Sequence, residues 1–252
     1  MYLIGIVCGI ERTKFMKRTL VMSDIHGELE MFERLLADVK YDHNHDQLIL
    51  LGDYVDRGPN PKKVLDKVIQ LKAQGALVLK GNHEDMMIKA LTTNDEHTWN
   101  NWVNRNGGSK TLKSYGFKES EFTVLAEEIF IKPELYSEEL AEHLEFIQNL
   151  EHSIELEDMI FVHAGVHPKT PLAETDPYIL MWIREEFHDG YSGDKTVVFG
   201  HTTTNNFHRD PENHSVFFGK NRIIGIDGGA VYGGQLNCLE LPKRTVHYVK
   251  PN

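Results

Sequence analysis

The stretch QLILLGDYVDRG, residues 47–58, joins an apolar run to a turn that carries two aspartates and an arginine. Five residues rich in Leu and Ile and closed by glycine read as a buried strand. Gly52, Asp53 and Gly58 suit the turn after it, with Pro59 just beyond. A turn alone does not need Asp53, Asp56 and Arg57 together. Open α/β sheets, however, place ligands beyond the carboxyl ends of their strands. The flanking segments agree with that reading. Residues 17–23 form a second apolar run, and residues 28–39 have helical spacing through Leu29, Phe32, Leu35 and Leu36. Residues 61–71 read as a helix opened by Pro61, and residues 76–80 as a third strand. The order βαβαβ predicts a parallel sheet and an α/β fold. Residues 84–150 are mostly helical, with a break at Gly107–Gly108. Strand patterns return at 158–162, 195–199, 222–226, 236–241 and 245–249. No Pro- or Ser-rich linker separates these parts, which predicts one domain whose two sheet halves are joined by a helical insertion.

The 252 residues are enough for one sizeable domain. A net charge of −11 argues against a general footprint for duplex nucleic acid, although local basic groups can still hold a phosphate. Cys8 and Cys238 are the two cysteines, without metal-type spacing, and point to a reducing, cytoplasmic location. The opening MYLIGIVCGI is too short to span a membrane and lacks the basic flank and cleavage site of a signal peptide. Met16 opens MKRTLVMSDIHG. Residues 1–15 are therefore expected to be an upstream-start extension or an added edge strand, with residues 16–252 forming a single catalytic domain.

The residues just beyond each apolar run carry the chemistry. LVMS precedes Asp24 and His26; LILLG precedes Asp53; ALVLKG precedes Asn82 and His83; MIFV precedes His163; TVVFG precedes His201. Any one of these alone reads as an N-cap, a turn or a structural histidine. Five at equivalent positions predict one shared site. The motifs SDIHG (23–27), GDYVDRG (52–58), GNHE (81–84), HAG (163–165) and GHT (200–202) together resemble, in order, those of the metallophosphoesterases of the phosphoprotein phosphatase type. The resemblance runs from Met16 to about Leu241, and DGGAVYGGQL (227–236) is similar to a C-terminal signature of bacterial members.

The resemblance implies an αββα sandwich of two mixed β-sheets flanked by helices. It also implies two divalent metal ions, Mn2+ in preference with Fe or Zn as alternatives, held by oxygen and nitrogen ligands. Asp24, His26 and Asp53 would hold one, and Asp53, Asn82, His163 and His201 the other, with Asp53 bridging. A metal-bridging hydroxide would attack phosphorus directly. Arg57, Arg184 and Asn82 would bind the substrate phosphate. The catalytic residues would be His83, as general acid, and Asp56, which orients it. Arg184 lies in the looser motif MWIREEF, where a helical surface arginine is the plain alternative.

The implied activity is hydrolysis of phosphoserine and phosphothreonine in proteins. The alternative is a dinucleoside polyphosphate hydrolase, such as a diadenosine tetraphosphatase, using the same site. The partner is thus a phosphoprotein or a phosphorylated small molecule, with no nucleic acid duplex and no membrane. A binding module without activity would have lost His83, Asp56 or a ligand, and none is lost. The insertion 84–150 is expected to recognise the leaving group. DHNHD (42–46) imitates the start of a calcium loop, but the LILL beyond it must be a strand, so it reads as a solvated loop. Glu84 reads as structural at a helix start. Trp99 and Trp102 line a cleft or fill a core, and Tyr232 sits in a loop that either reaches the site or packs.

Overall fold

The computed structural model describes residues 17–124 and 130–252. The predicted βαβαβ unit is β1 (Arg18–Met22), α1 (Leu29–Asp38), β2 (Asp46–Leu50), α2 (Pro61–Ala73) and β3 (Leu77–Val78). The insertion holds α3 (Asn82–Thr92), α4 (Glu96–Asn100), α5 (Gly108–Ser114), α6 (Glu119–Phe122) and α7 (Glu138–Gln148), with a π-helical turn, Asn101–Arg105, continuing α4. Next come β4 (Ser153–Glu155), β5 (Met159–Val162), α8 (Pro177–Trp182), α9 (Glu185–Gly190) and β6 (Thr196–Phe199). The chain closes with β7 (Phe217–Phe218), β8 (Ile223–Gly225), β9 (Leu236–Leu241) and β10 (Thr245–Val249).

Two mixed sheets result, ordered β10-β9-β1-β2-β3 and β4-β5-β6-β8-β7. The first three strands pair in parallel, with Val21 opposite Ile49. The alternation of strand side chains sets the layers. Val21, Ile49 and Leu51 meet Phe161, Val198 and Ile224 of the other sheet in a dry central layer. The intervening residues, Leu20, Met22, Leu48 and Leu50, face the other way onto Phe32, Leu35, Val64 and Leu65 of α1 and α2. Ile160, Val162, Val197 and Phe199 face outward from the second sheet onto Leu180 of α8 and Phe187 of α9. Each such side chain, when fully buried, contributes about 1.5–3 kcal/mol. The predicted αββα sandwich is therefore the observed layering.

Departures from the sequence reading are local. The third strand shortens to two residues because Lys80 leaves the first sheet, its N–H donating to Glu151 O at 2.8 Å. β4 and β7 are short edge strands that the apolar pattern does not reveal. DHNHD is a loop up to His45, where Asp42 Oδ1 accepts from Asn44 N, and Asp46 opens β2 and pairs with Arg18 of β1 at 2.6 Å. Cys238 is buried and free, whereas Cys8 and the whole of residues 1–15 lie outside the described residues. Among the described residues no helix is long and apolar enough to cross a membrane.

Candidate active site

The loops after β1, β2 and β3 are knitted together by backbone contacts that side chains would forbid. His26 N donates to Asp53 O at 2.9 Å, Gly27 N to Tyr54 O at 2.9 Å, and Gly58 N to His26 O at 3.0 Å. A Cβ at Gly58 would stand 2.0 Å from His26 O, and one at Gly52, where φ is +108°, would stand 2.5 Å from Gly81 N. The non-glycine residues Asp24, His26, Asp53, Asp56, Arg57 and His201 all hold positive φ, between 44° and 72°. That conformation costs on the order of 1–2 kcal/mol per residue. The surrounding packing and hydrogen bonds offset it. Glu84, fully buried at the start of α3, accepts from Asp53 N, Tyr54 N and Gly81 N at 2.8–2.9 Å. It ties the β2 and β3 loops together, the structural role expected of it.

Residues from five strand ends come together in one site. His26, Asp53 and His83 form one group with ligand atoms within 4.8 Å of one another, and Asp53, His163 and His201 form another. Asp53 Oδ2 faces His26 Nε2 at 3.5 Å, while its Oδ1 faces His163 Nε2 at 3.4 Å. Asn82 Oδ1 lies 2.8 Å from both His163 Nε2 and His201 Nδ1. Asp24 joins neither group; its carboxylate accepts from His201 N at 3.1–3.2 Å.

The protonation states bear on what these donors can hold. Burial keeps His163 near about 3, and lowers His26 and His201 well below the ordinary imidazole range, so all three are neutral. His163 Nδ1 donates to Leu51 O at 3.0 Å, and His26 Nδ1 to Val55 O at 2.8 Å. A neutral imidazole has one ring proton, so each Nε2 presents a lone pair to the site. The His163 lone pair then faces the Asn82 oxygen at 2.8 Å, an acceptor against an acceptor. A cation between such groups turns repulsion into ligation. Burial, followed by the charge of Asp227, raises Asp24 well above the carboxylate range. Burial, followed by the charge of Asp24, does the same to Asp53. Cations would relieve both. The donor set of carboxylate, amide and imidazole fits hard or borderline divalent ions and contains no thiolate.

His83 Nδ1 donates to Asp56 Oδ2 at 2.6 Å, and its Nε2 lies 4.0 Å from Asp53 Oδ2. Burial pushes Asp56 up to about 8, opposed by hydrogen bonds from Thr111 and Trp102 and by the charge of Arg57. Arg57 Nη1 lies 2.7 Å from His26 Nε2, and its guanidinium sits 5.2 Å from the Tyr232 ring centroid. Arg184 Nη1 donates to Thr202 Oγ1 at 2.7 Å and to His201 O at 3.3 Å. Both arginines line a cavity of about 260 Å3 together with Asp24, Asp53, Asn82 and His83. Arg184, despite its looser motif, thus ends beside the expected ligands.

The family profile described as calcineurin-like phosphoesterase matches residues 17–226. The chain belongs to the calcineurin-like phosphoesterase family. It is a metal-dependent phosphoester hydrolase, and members of the family use a pair of divalent metal ions. This phosphoesterase is 28% identical over 230 residues to a protein named serine/threonine-protein phosphatase 1 of Salmonella typhimurium, covering 88% of this chain and 90% of the relative. It is 25% identical over 253 residues to the asymmetrical bis(5'-nucleosyl)-tetraphosphatase PrpE of Oceanobacillus iheyensis, covering 89% and 88%. A solved structure described as a candidate diadenosine tetraphosphatase superposes with a TM-score of 0.67 at 21% identity, covering 94% of both chains, which shows the shared fold.

The phosphoesterase site also contains residues the sequence reading did not assign. Asp227 is buried on the cavity wall, accepts from Gly229 N at 2.8 Å, and is pushed up to about 6 by burial. Its only sequence signal was its place in DGGAVYGGQL. Thr111 and Trp102 grip Asp56, so Trp102 is not a cleft wall; Trp99, its neighbour in an edge-to-face pair at 6.3 Å, is core. Tyr232 reaches the cavity rim and is 63% exposed.

Proposed function

We propose that this phosphoesterase is a dinuclear-metal phosphomonoesterase acting on phosphoserine and phosphothreonine in proteins. The observation that carries the dinuclear reading is Asp53, whose two oxygens face opposite halves of the site, His26 on one side and His163 on the other. Asp24, His26 and Asp53 would hold one ion, and Asp53, Asn82, His163 and His201 the second. Manganese suits this donor set, as would iron or zinc. When bound, the ions supply an activated water and positive charge against the phosphoryl oxygens.

The remaining work falls to the chain itself. Arg57 and Arg184 on the cavity wall, with the amide of Asn82, orient the phosphate and stabilise its equatorial oxygens. Burial lowers His83 well below the ordinary imidazole range. As the acid it would be the imidazolium, a form that an ionised Asp56 and a bound phosphate favour, with Nδ1 donating to Asp56 and the second proton at Nε2. That proton passes to the departing alkoxide oxygen as the P–O bond breaks. The cavity of about 260 Å3 lies below the ~300–1,000 Å3 of pockets that enclose a whole small molecule. It suits a phosphoryl group whose leaving group stays outside, as a protein side chain would. The cysteine usage supports a reducing, cytoplasmic setting.

A second reading, dinucleoside polyphosphate hydrolysis, is favoured by Tyr232, whose exposed ring at the rim beside Arg57 offers a stacking face for a base. A side-by-side assay with Mn2+ on a phosphoserine peptide, a phosphotyrosine peptide and diadenosine tetraphosphate separates them. Preference for the phosphoserine peptide supports the first reading; preference for the dinucleotide replaces it with the second.

A further inference from the structure

Beyond α3 the helical insertion folds back onto the strand-end site, where Trp102 and Thr111 reach the carboxylate of Asp56. Asp56 is fully buried and lies 46 residues from Trp102 and 55 from Thr111. Trp102 Nε1 stands 3.0 Å from both Asp56 oxygens, and an indole N–H can only donate. The Thr111 hydroxyl accepts from Asp56 N at 2.9 Å, so its single proton is directed to Asp56 Oδ1 at 2.6 Å. With His83 Nδ1 on Oδ2, every contact on this carboxylate is a donor, which leaves no acceptor for a carboxyl proton and opposes the burial that pushes Asp56 up to about 8. Neither Trp102 nor Thr111 is exposed, and water does not compete.

The NGG break explains how the insertion comes so close. Gly107 holds φ +88°, and a Cβ there would stand 2.6 Å from Arg57 N, which donates to Gly107 O at 3.4 Å. A Cβ at Gly108 would lie 2.6 Å from the Trp102 ring. α5 is then pinned from outside: Ser114 Oγ accepts from Lys62 N at 3.1 Å, and Tyr115 Oη pairs with His143 Nδ1 of α7 at 2.6 Å.

We propose that Trp102 and Thr111 are positioning residues for proton delivery: they hold the Asp56 carboxylate in place, so that the His83 ring anchored to it through Nδ1 keeps Nε2 facing the cavity. This rests on the phosphomonoesterase reading. The insertion would thus act on the reaction itself as well as on substrate choice. A cradle that serves proton delivery matters most when the leaving oxygen is basic and little when it is a good leaving group. A merely structural role would slow all substrates alike.

The test is kcat and KM for Thr111→Val, Thr111→Ser and Trp102→Phe on phosphoserine and on p-nitrophenyl phosphate, at saturating Mn2+. Losing a hydrogen bond to a charged group predicts a fall in kcat on phosphoserine of about 10- to 100-fold for Thr111→Val. The p-nitrophenyl rate should fall much less, KM should stay near wild type, and Thr111→Ser should restore the alkyl rate. Trp102→Phe keeps an aromatic side chain but loses the indole N–H, and gives the same split between the two substrates if Thr111→Val folds poorly. Equal losses on both substrates, a loss confined to KM, or no loss at all would overturn the inference. A wild type without activity on either substrate would instead overturn the phosphomonoesterase reading beneath it.

Discussion

Glu84→Gln removes one oxygen from a carboxylate that no solvent reaches. Oε2 accepts from Asp53 N and Gly81 N at 2.8 and 2.9 Å, and Oε1 from Tyr54 N and Val55 N at 2.8 and 3.3 Å. Whichever way the amide is turned, its NH2 meets two backbone N–H groups that previously had an acceptor. Hydrogen bonds to a charged group are worth about 1.5–3 kcal/mol each, and the longest of these four counts for little. The substitution should therefore cost on the order of 3–4 kcal/mol. For a chain of this size 1 kcal/mol moves Tm by roughly 2–4 °C, which predicts a fall of about 6–16 °C. Thermal unfolding followed by circular dichroism, without added metal, measures it. Glu157→Gln, at an exposed position, is the control and should stay within about 0.5 kcal/mol of wild type. A Glu84→Gln melt within the spread of that control would refute the tie between the β2 and β3 loops.

The same geometry predicts three further outcomes. His83→Asn should leave metal binding intact and slow phosphoserine hydrolysis far more than p-nitrophenyl phosphate hydrolysis; equal slowing would remove His83 from the proton-donor role. His188 stacks on Phe199 at 5.2 Å with its Nε2 unpartnered, and burial lowers it to about 4, below its unfolded value near 6.5. The native state then binds fewer protons between those values, so stability is lost as pH falls from about 6.5 to about 4. Urea unfolding at pH 7 and pH 5 should show wild type losing about 1 kcal/mol more than His188→Phe, after discounting for partial exposure, and identical losses would count against it. Treatment with EDTA should abolish hydrolysis and Mn2+ should restore it; turnover by fully demetallated protein would refute metal dependence.

The strand-end residues were legible because both halves of the signal are local. An apolar run fixes the strand, and the next residue or two fix the chemistry, so Asp24, Asp53, His163 and His201 could be read without knowing which strands neighbour one another. The layering was legible for the same reason: Leu20, Val21 and Met22 alternate between two cores. Contacts made by the insertion carry no such mark. Trp102 and Thr111 reach Asp56 only after α4, the π-helical turn and α5 have folded back over the site, and nothing near Asp56 in sequence announces them. Asp227 was hidden by its setting among glycines, where an aspartate ordinarily serves a turn. β4 escaped because none of its three residues is buried, and β7 because two residues carry no period.

A two-ion site bridged by Asp53 is the central claim. Metal content of purified protein, measured by mass spectrometry after equilibration with Mn2+ and gel filtration, tests it most directly against Asp53→Asn. Two ions per chain are expected in wild type and loss of both from the variant, since an amide presents a single ligand oxygen where the carboxylate has two. A variant that still retains two ions with wild-type affinity would contradict the bridge.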